Sequence, residues 1–293
     1  MHTYIDLHTH STASDGTCTP EELITLALQQ TEEDSFVILA LTDHDTTAGI
    51  PSFLSAASHH QDRICAIPGI EISSDYHGIE IHIIGLNIDP SCAVLNQQME
   101  LSRQSRDGRN TAILAKLQEH GISVSLKDNK PEKPDETIGR PHIARALLNA
   151  GYVSSIKEAF DLYLAEGRSC FIKRKMPSVT EAVNLIQQSG GIPILAHPMI
   201  YHKLSSSDLH QLTGELKAAG LKGIEGYYST YSEAEESYVA DLAKQHALLL
   251  SGGSDFHGKN KPDISLFSGK GTLQIPPSVF HALFSENITL PPM

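Results

Sequence analysis

The sequence predicts an α/β fold of about seven mainly parallel strands, with the size of a single α/β barrel that carries an insertion. Three observations predict it. Short apolar segments with strand patterning alternate with helical stretches along most of the chain. A length of 293 residues suits one barrel, or a barrel with an inserted piece, better than one small domain. The alternation then stops between about residues 100 and 180, where the pattern is mostly helical.

The elements follow in order. Strands are expected at residues 4–8, 36–42, 64–70, 80–86, 192–196, 223–226 and 248–251. Thr19-Pro20-Glu21-Glu22 places a capping hydroxyl, a proline at the first helical position and early acids ahead of an apolar stripe. Residues 178–189 and 205–219 have a similar helical start. Helices are also expected at 100–120, 142–149 and 154–166, with a polar break over 125–137. After Gly271 the chain offers one short closing helix and a loose end. The domain reading is a barrel from residues 1–99 and 181–293, with 100–180 as an inserted helical subdomain that caps the substrate.

Charge marks the same boundary. Residues 100–180 hold 14 Lys and Arg against 10 Asp and Glu, whereas the rest holds 8 against 25. Seven of the eight arginines lie in the insertion. Arginine is suited to bidentate phosphate binding, so the insertion is expected to face an anion. The formal charge of −13 disfavours general nucleic-acid binding by the whole chain. No run of about 18 apolar residues is present, and MHTYIDLHTH lacks the pattern of a secretory signal, so no membrane partner is expected. Cys18, Cys65, Cys92 and Cys170 are scattered without a CxxC, which argues against a disulfide framework or a thiolate zinc site and for a reducing cytoplasm.

The chemistry sits at the strand ends. The first strand ends in Asp6-Leu7-His8-Thr9-His10, followed by Asp15, and the second in Thr42-Asp43-His44-Asp45. The third ends in Gly69-Ile70-Glu71, the fourth contains His82, and the fifth ends in Ala196-His197-Pro198. The seventh is followed by Gly252-Gly253-Ser254-Asp255-Phe256-His257. The C-terminal ends of parallel barrel strands converge on one face, so these groups are expected together. Each piece alone is also compatible with an ordinary structural role: HxH with a satisfied pair, TDHD with a helix cap, SDxH with a loop. Converging carboxylates repel, and buried histidines need partners. Divalent cations satisfy both, and an N/O donor set without thiolate suits Mn, Zn or Fe.

The series DLHTHSTASDG, LTDHD, GIE, an isolated histidine after that glutamate, AHP and GSDFH resembles the successive motifs of the polymerase-and-histidinol-phosphatase (PHP) domain. The resemblance runs from Tyr4 to about His257. It implies a distorted seven-stranded, TIM-like barrel with three clustered divalent ions, Mn²⁺ first and Zn²⁺ or Fe²⁺ as alternatives. It further implies that His8, His10, Glu71 and Asp255 hold the first ion, and Glu71, His82 and His197 the second. Asp15, His44 and His257 would hold the third.

Such a site would acidify a shared water for attack on phosphorus. Glu71 and Asp255 are its central acids. Asp43, His197, His257 or a bound water could protonate the leaving oxygen. Asp43 could equally orient a ligand, and Asp45 is expected as a helix cap.

The GRPHIA stretch resembles a bacterial subgroup of 3′,5′-nucleoside bisphosphate phosphatases and 5′→3′ exonucleases of the RNase AM type. Arg140 and His142 are therefore expected on substrate phosphate. Arg106 and Asn110, with Arg103 on one helical face, are further candidates. Tyr227 or Tyr228 could stack on a base or simply pack. The expected partner is a small nucleotide such as 3′-phosphoadenosine 5′-phosphate or AMP, with short single-stranded RNA or DNA as the alternative, and no obligate protein partner.

Histidinol phosphate fits the arginine-rich insertion less well. An amidohydrolase would want a bridging lysine that the strand ends lack. A non-catalytic metal-binding module is disfavoured by retention of the whole ligand set.

Overall fold

The computed structural model describes residues 2–126 and 138–284. Most of the polar break and the end of the tail lie outside the described residues. Seven strands follow one another around a single sheet: β1 (Thr3–Asp6), β2 (Phe36–Leu41), β3 (Ile64–Tyr76), β4 (Ile79–Leu86), β5 (Ile192–Leu195), β6 (Gly223–Tyr228) and β7 (Leu249–Gly253). β2 is Phe-Val-Ile-Leu-Ala-Leu and buried at every position, as a strand covered on both faces must be. The sheet closes where the Leu7 amide donates to the Gly252 carbonyl (3.1 Å) and the Asp255 amide to the His8 carbonyl (2.8 Å). A Cβ on Gly253 would lie 2.3 Å from His8 Cβ, so only glycine permits this closure.

The expectation that every strand delivers its C-terminal end to one face fails at β4. That strand is antiparallel to both β3 and β5, so the start of β4 lies at the face where the other strands end. The third strand also continues past Glu71 to Tyr76 and pairs with β4 as a long hairpin. Glu71 faces Ile84 and Ser73 faces His82, which puts Glu71 and His82 diagonally on one surface of the hairpin.

Helices cover the barrel. α1 (Pro20–Gln29) starts on the expected Thr19–Glu22 capping box. α2 (Ile50–Ala57) follows β2, and α3 (Ala93–Glu119) follows β4, beginning seven residues before the expected start at 100. The insertion continues with α4 (Arg140–Asn149) and α5 (Ile156–Ala159), where 154–166 proves to be one α-turn run into a π-turn at Phe160–Leu164. α6 (Val179–Gln188), α7 (Ser206–Ala219) and α8 (Glu233–Gln245) each start on a serine capping box, and α9 (Pro277–Phe284) closes the described chain. Ile5, Ile38, Ile67, Leu86 and Ile194 from five strands form one cluster with Phe280 and Phe284 of α9. Residues between Ile113 and Ile172 form a separate cluster of their own. Among the described residues no helix is long and apolar enough to cross a membrane, and all four cysteines are free.

Candidate metal centre

Glu71 organises the site. Its side chain is buried, and its two oxygens face two different sets of rings. Oε1 lies 2.9 Å from His82 Nδ1 and 3.0 Å from His197 Nε2. Oε2 lies 3.2 Å from His8 Nε2, 3.2 Å from His10 Nε2 and 3.0 Å from His44 Nδ1. Burial alone would raise this carboxyl, but His44, His8 and His82 outweigh it and hold the group well below its usual range.

A second acid closes the other side. Asp255 Oδ1 faces His10 Nε2 at 3.3 Å, His257 Nδ1 at 3.2 Å and His8 Nε2 at 3.7 Å. Its Oδ2 accepts from Tyr228 Oη (2.6 Å) and Lys261 Nζ (2.5 Å), which fixes the carboxylate plane. Asp15 Oδ1 faces His257 Nε2 at 3.2 Å and His44 Nε2 at 3.9 Å. His197 (φ 29°) and Asp255 (φ 56°) both adopt the left-handed region, a conformation that costs about 1–3 kcal/mol each and that the fold must impose.

These contacts resolve into four groups that could each hold a cation: His8, His10 and Asp255; His8, Glu71 and His197; His44, Glu71 and His82; and His10, Asp15, His44 and His257. The donor set fits divalent ions. His8 Nε2 and His10 Nε2 face each other at 3.1 Å and share one carboxylate oxygen. Glu71 Oε2 and His82 Nδ1 are enclosed and make no hydrogen bond. Nitrogen and carboxylate lone pairs that converge this closely, some of them enclosed without a hydrogen bond, are matched by positive charge at their common point.

The structure brings all nine expected ligand residues together, and it gives several neighbours other work. Asp43 is engaged by Ser11 and Ser14, with Ser11 N at 2.8 Å and both hydroxyls at 2.6 Å, so its carboxylate ties the loop after β1. Asp45 is no helix cap, since α2 begins only at Ile50 and is capped by Gly49. It is buried, accepts from Ser73 N (2.8 Å) and pairs with Arg106 (2.5 Å) and Arg174 (3.1 Å), which dock the insertion on the barrel. Burial pushes Asp45 up and the two guanidinium groups more than reverse it, to about 2.

Among the proposed substrate contacts, Arg106 is therefore occupied by Asp45 and Ser73. Arg103 pairs with Glu100 on its own helix. Asn110 accepts from Arg109 and donates to the Ile138 carbonyl. Arg140 reaches Glu80 (3.1 Å), and His142 accepts from the Gly139 amide (3.0 Å). Tyr228 is buried, and its hydroxyl donates to Asp255 Oδ2 at 2.6 Å.

Two acids were given no role in the sequence analysis. Glu225, fully buried on β6, lies 3.1 Å from His8 Nδ1 and accepts the His197 amide at 2.8 Å. Asp6, also fully buried, accepts from the Ser254 (2.8 Å) and Phe267 (3.0 Å) amides and knots the β1 and β7 ends together. Its burial raises it to about 6 despite those bonds. A charged residue inside an otherwise apolar strand was the available clue for Glu225.

Residues 6–190 match the PHP domain model. The chain belongs to the PHP domain family. It is 35% identical over 252 residues to the 5′-3′ exoribonuclease Rnm of Escherichia coli (strain K12), covering 86% of this chain and 84% of that one. It is 34% identical over 255 residues to the 3′,5′-nucleoside bisphosphate phosphatase of Chromobacterium violaceum, covering 86% and 87%. A solved structure described as an amidohydrolase from Chromobacterium violaceum, with sulfate bound and no metal, superposes with a TM-score of 0.85 at 31% identity over 96% of each chain. This PHP protein is thus a phosphoesterase, a hydrolase of the family that the motifs pointed to.

Proposed function

We propose that this protein removes the 5′-phosphate of small nucleotides, 3′,5′-nucleoside bisphosphates first and AMP-like monoesters second. The observation that carries the reading is the Glu71 carboxylate, whose two oxygens each face their own set of imidazoles. His8, His10, Glu71 and Asp255 would hold one divalent ion, Glu71, His82 and His197 a second, and Asp15, His44 and His257 a third, Mn²⁺ being the proposed metal. Bound there, the ions would supply an acidified water as nucleophile and positive charge against the phosphate oxygens. Glu225 and the Tyr228–Lys261 pair keep His8 and Asp255 from turning away. His44 and His82, with side chains 15% and 20% exposed, form the open side of the cluster, while His8, His10, His197 and His257 are almost closed to solvent. Phosphate would therefore arrive over His44 and His82. Residues 100–180 would cap that approach.

A second reading is 5′→3′ exonuclease action on short single strands, favoured by the 35% identity to an exoribonuclease across most of the chain. Both readings use one metal site: the phosphatase would hydrolyse the terminal phosphomonoester, and the exonuclease the first internucleotide phosphodiester. The deciding test is release of phosphate or mononucleotide from 3′-phosphoadenosine 5′-phosphate, AMP and a 5′-phosphorylated tetraribonucleotide in Mn²⁺, beside an Asp255→Ala control. Fast phosphate release from the bisphosphate, lost in the control, supports the phosphatase. Mononucleotides shed from the RNA with no bisphosphate turnover support the exonuclease, and silence on all three refutes the substrate class.

A further inference from the structure

We propose that Arg145 and Asn260 are positioning residues for the third cation position. Through them α4 holds the two loops that carry Asp15 and His257, so that seating of the insertion and uptake of the third ion are coupled. The inference rests on the reading of Asp15, His44 and His257 as ligands of a third divalent ion.

The three side chains are held in different ways. His44 follows β2, and its neighbours bond directly to β3: the Glu71 amide donates to the Asp43 carbonyl (3.1 Å) and the Asp45 amide to the Glu71 carbonyl (3.0 Å). Asp15 and His257 lie beyond the ends of their strands, on loops. The Asp15 loop folds on itself, with the Ser14 and Gly16 amides on the Ser11 carbonyl at 3.1 and 2.9 Å. A Cβ on Gly16 would lie 2.4 Å from the His10 carbonyl oxygen, so the turn is tight. Asp43 ties the first half of this loop through Ser11 and Ser14. The second half is tied to the loop that carries His257.

Asn260 makes that tie. It ends the single turn after His257, Gly258–Asn260, and its Nδ2 donates to the Asp15 carbonyl at 2.7 Å. Beside it the Lys259 amide donates to Thr17 Oγ1 at 2.8 Å. His257 Nδ1 donates to the Asp255 carbonyl at 2.8 Å, which leaves the Nε2 lone pair facing Asp15 Oδ1 at 3.2 Å. A side-chain amide has a donating and an accepting end, and Arg145 decides which end meets Asp15. From α4, Arg145 Nη2 donates to Asn260 Oδ1 at 2.5 Å and to the Lys259 carbonyl at 3.2 Å. A guanidinium group only donates, so it holds the amide oxygen and aims the NH₂ at Asp15.

These contacts of Arg145 are to a neutral amide oxygen and a backbone carbonyl, so they orient a group and neutralise no charge. Groups behind metal ligands act on affinity by fixing where the ligands stand. Loss of the Arg145 contact frees the Asn260 amide, and with it the spacing of Asp15 and His257. The coupling is reciprocal: whatever α4 contributes to the third ion, the ion contributes to the seating of α4.

The experiment counts ions. Mn²⁺ uptake by chelated protein is followed by calorimetry and elemental analysis in wild type, Arg145→Met, Asn260→Ala, Asp15→Ala and the Asp15→Ala, Arg145→Met double variant. Wild type should take up three ions. Arg145→Met and Asn260→Ala should each weaken one step by about tenfold, the lower end of what groups behind metal ligands contribute, and leave the other two steps unchanged. Asp15→Ala removes that step, so adding Arg145→Met should change nothing further. Mn²⁺ should also slow protease cleavage between α3 and α6 in wild type, and Arg145→Met and Asp15→Ala should lose the same part of that protection. Three ions bound at wild-type affinity in both single variants overturn the proposal and leave the third position standing. An effect of Arg145→Met that persists in the Asp15→Ala background overturns it as well, because the arginine then acts elsewhere. Uptake of two ions by wild type removes the third position and the proposal together. If Arg145→Met does not fold, Asn260→Ala decides on the same counts. No nucleotide enters the experiment, so its outcome is independent of the substrate reading.

Discussion

Glu225 Oε1 lies 3.1 Å from His8 Nδ1, on the side of the ring opposite Glu71, and both residues are fully buried. The contact fixes which nitrogen of His8 is free to bind a cation, and Glu225 holds the next turn of backbone through the His197 amide as well. Glu225→Gln keeps the shape and removes the charge. Carboxylates behind metal-binding histidines typically contribute about 10–100-fold to metal affinity or activity. We expect a loss in that range in Mn²⁺ titrations followed by calorimetry, with little change in the far-UV spectrum. Unaltered metal affinity would reduce Glu225 to a packing role.

Asp45 joins the insertion to the barrel. Removing one partner of a buried ion pair strands the others and costs about 3–5 kcal/mol. Asp45→Ala should lower stability toward urea by that order and expose the segment between α3 and α6 to limited proteolysis before the barrel is cut. The pair also has a predictable acid limit. The folded-state carboxyl sits near 2 instead of its usual 3.8, so its contribution is complete above about pH 4 and is lost as pH falls through 2. A variant that resists protease as well as wild type would show that other contacts dock the insertion.

The sequence made the proposed ligand set legible because so many polar pieces on successive apolar strands are hard to explain together by structural roles, although each alone is not. Strand direction is a different matter. Apolar alternation reads the same both ways along β4, so the hairpin with β3 was not visible, and His82 reaches the cluster from the start of its strand. Asp45 has the residue type of a cap and lies shortly before α2, yet its φ of 53° turns it away from the helix and toward Arg106. Glu225 was missed because Gly-Ile-Glu-Gly-Tyr-Tyr reads simply as a strand, and only the closed barrel shows that its acid meets His8. The basic character of the insertion was legible, whereas the individual partners of its arginines depend on which barrel acids they meet.

Chelation should affect stability as well as activity. Without cations the cluster crowds Asp15, Glu71 and Asp255 among six histidines, so ions that bind only the folded chain stabilise it by mass action. At a free metal concentration 100 times the Kd this amounts to about 2.7 kcal/mol per site, or roughly 4 °C in Tm for a chain of this size. Adding EDTA and restoring Mn²⁺ should move the thermal midpoint down and back by at least that much. Identical melting curves with and without chelator would argue that no tightly held ion belongs to the fold.

Tyr228 tests whether the aromatic group after β6 stacks on a base or orients an acid. Its hydroxyl donates to Asp255 Oδ2 at 2.6 Å, and the ring is buried. Hydrogen bonds to charged groups contribute about 1.5–3 kcal/mol. Tyr228→Phe leaves the ring in place and frees Oδ2 of one of its two donors, with Lys261 remaining. If the tyrosine orients Asp255, kcat and Mn²⁺ affinity should fall about tenfold while KM for the nucleotide stays within threefold. A stacking residue would behave in the opposite way: Phe would preserve activity almost fully, and Tyr228→Ala would raise KM for adenine nucleotides without weakening the metal. The orienting role therefore fails if Tyr228→Phe retains both kcat and metal affinity.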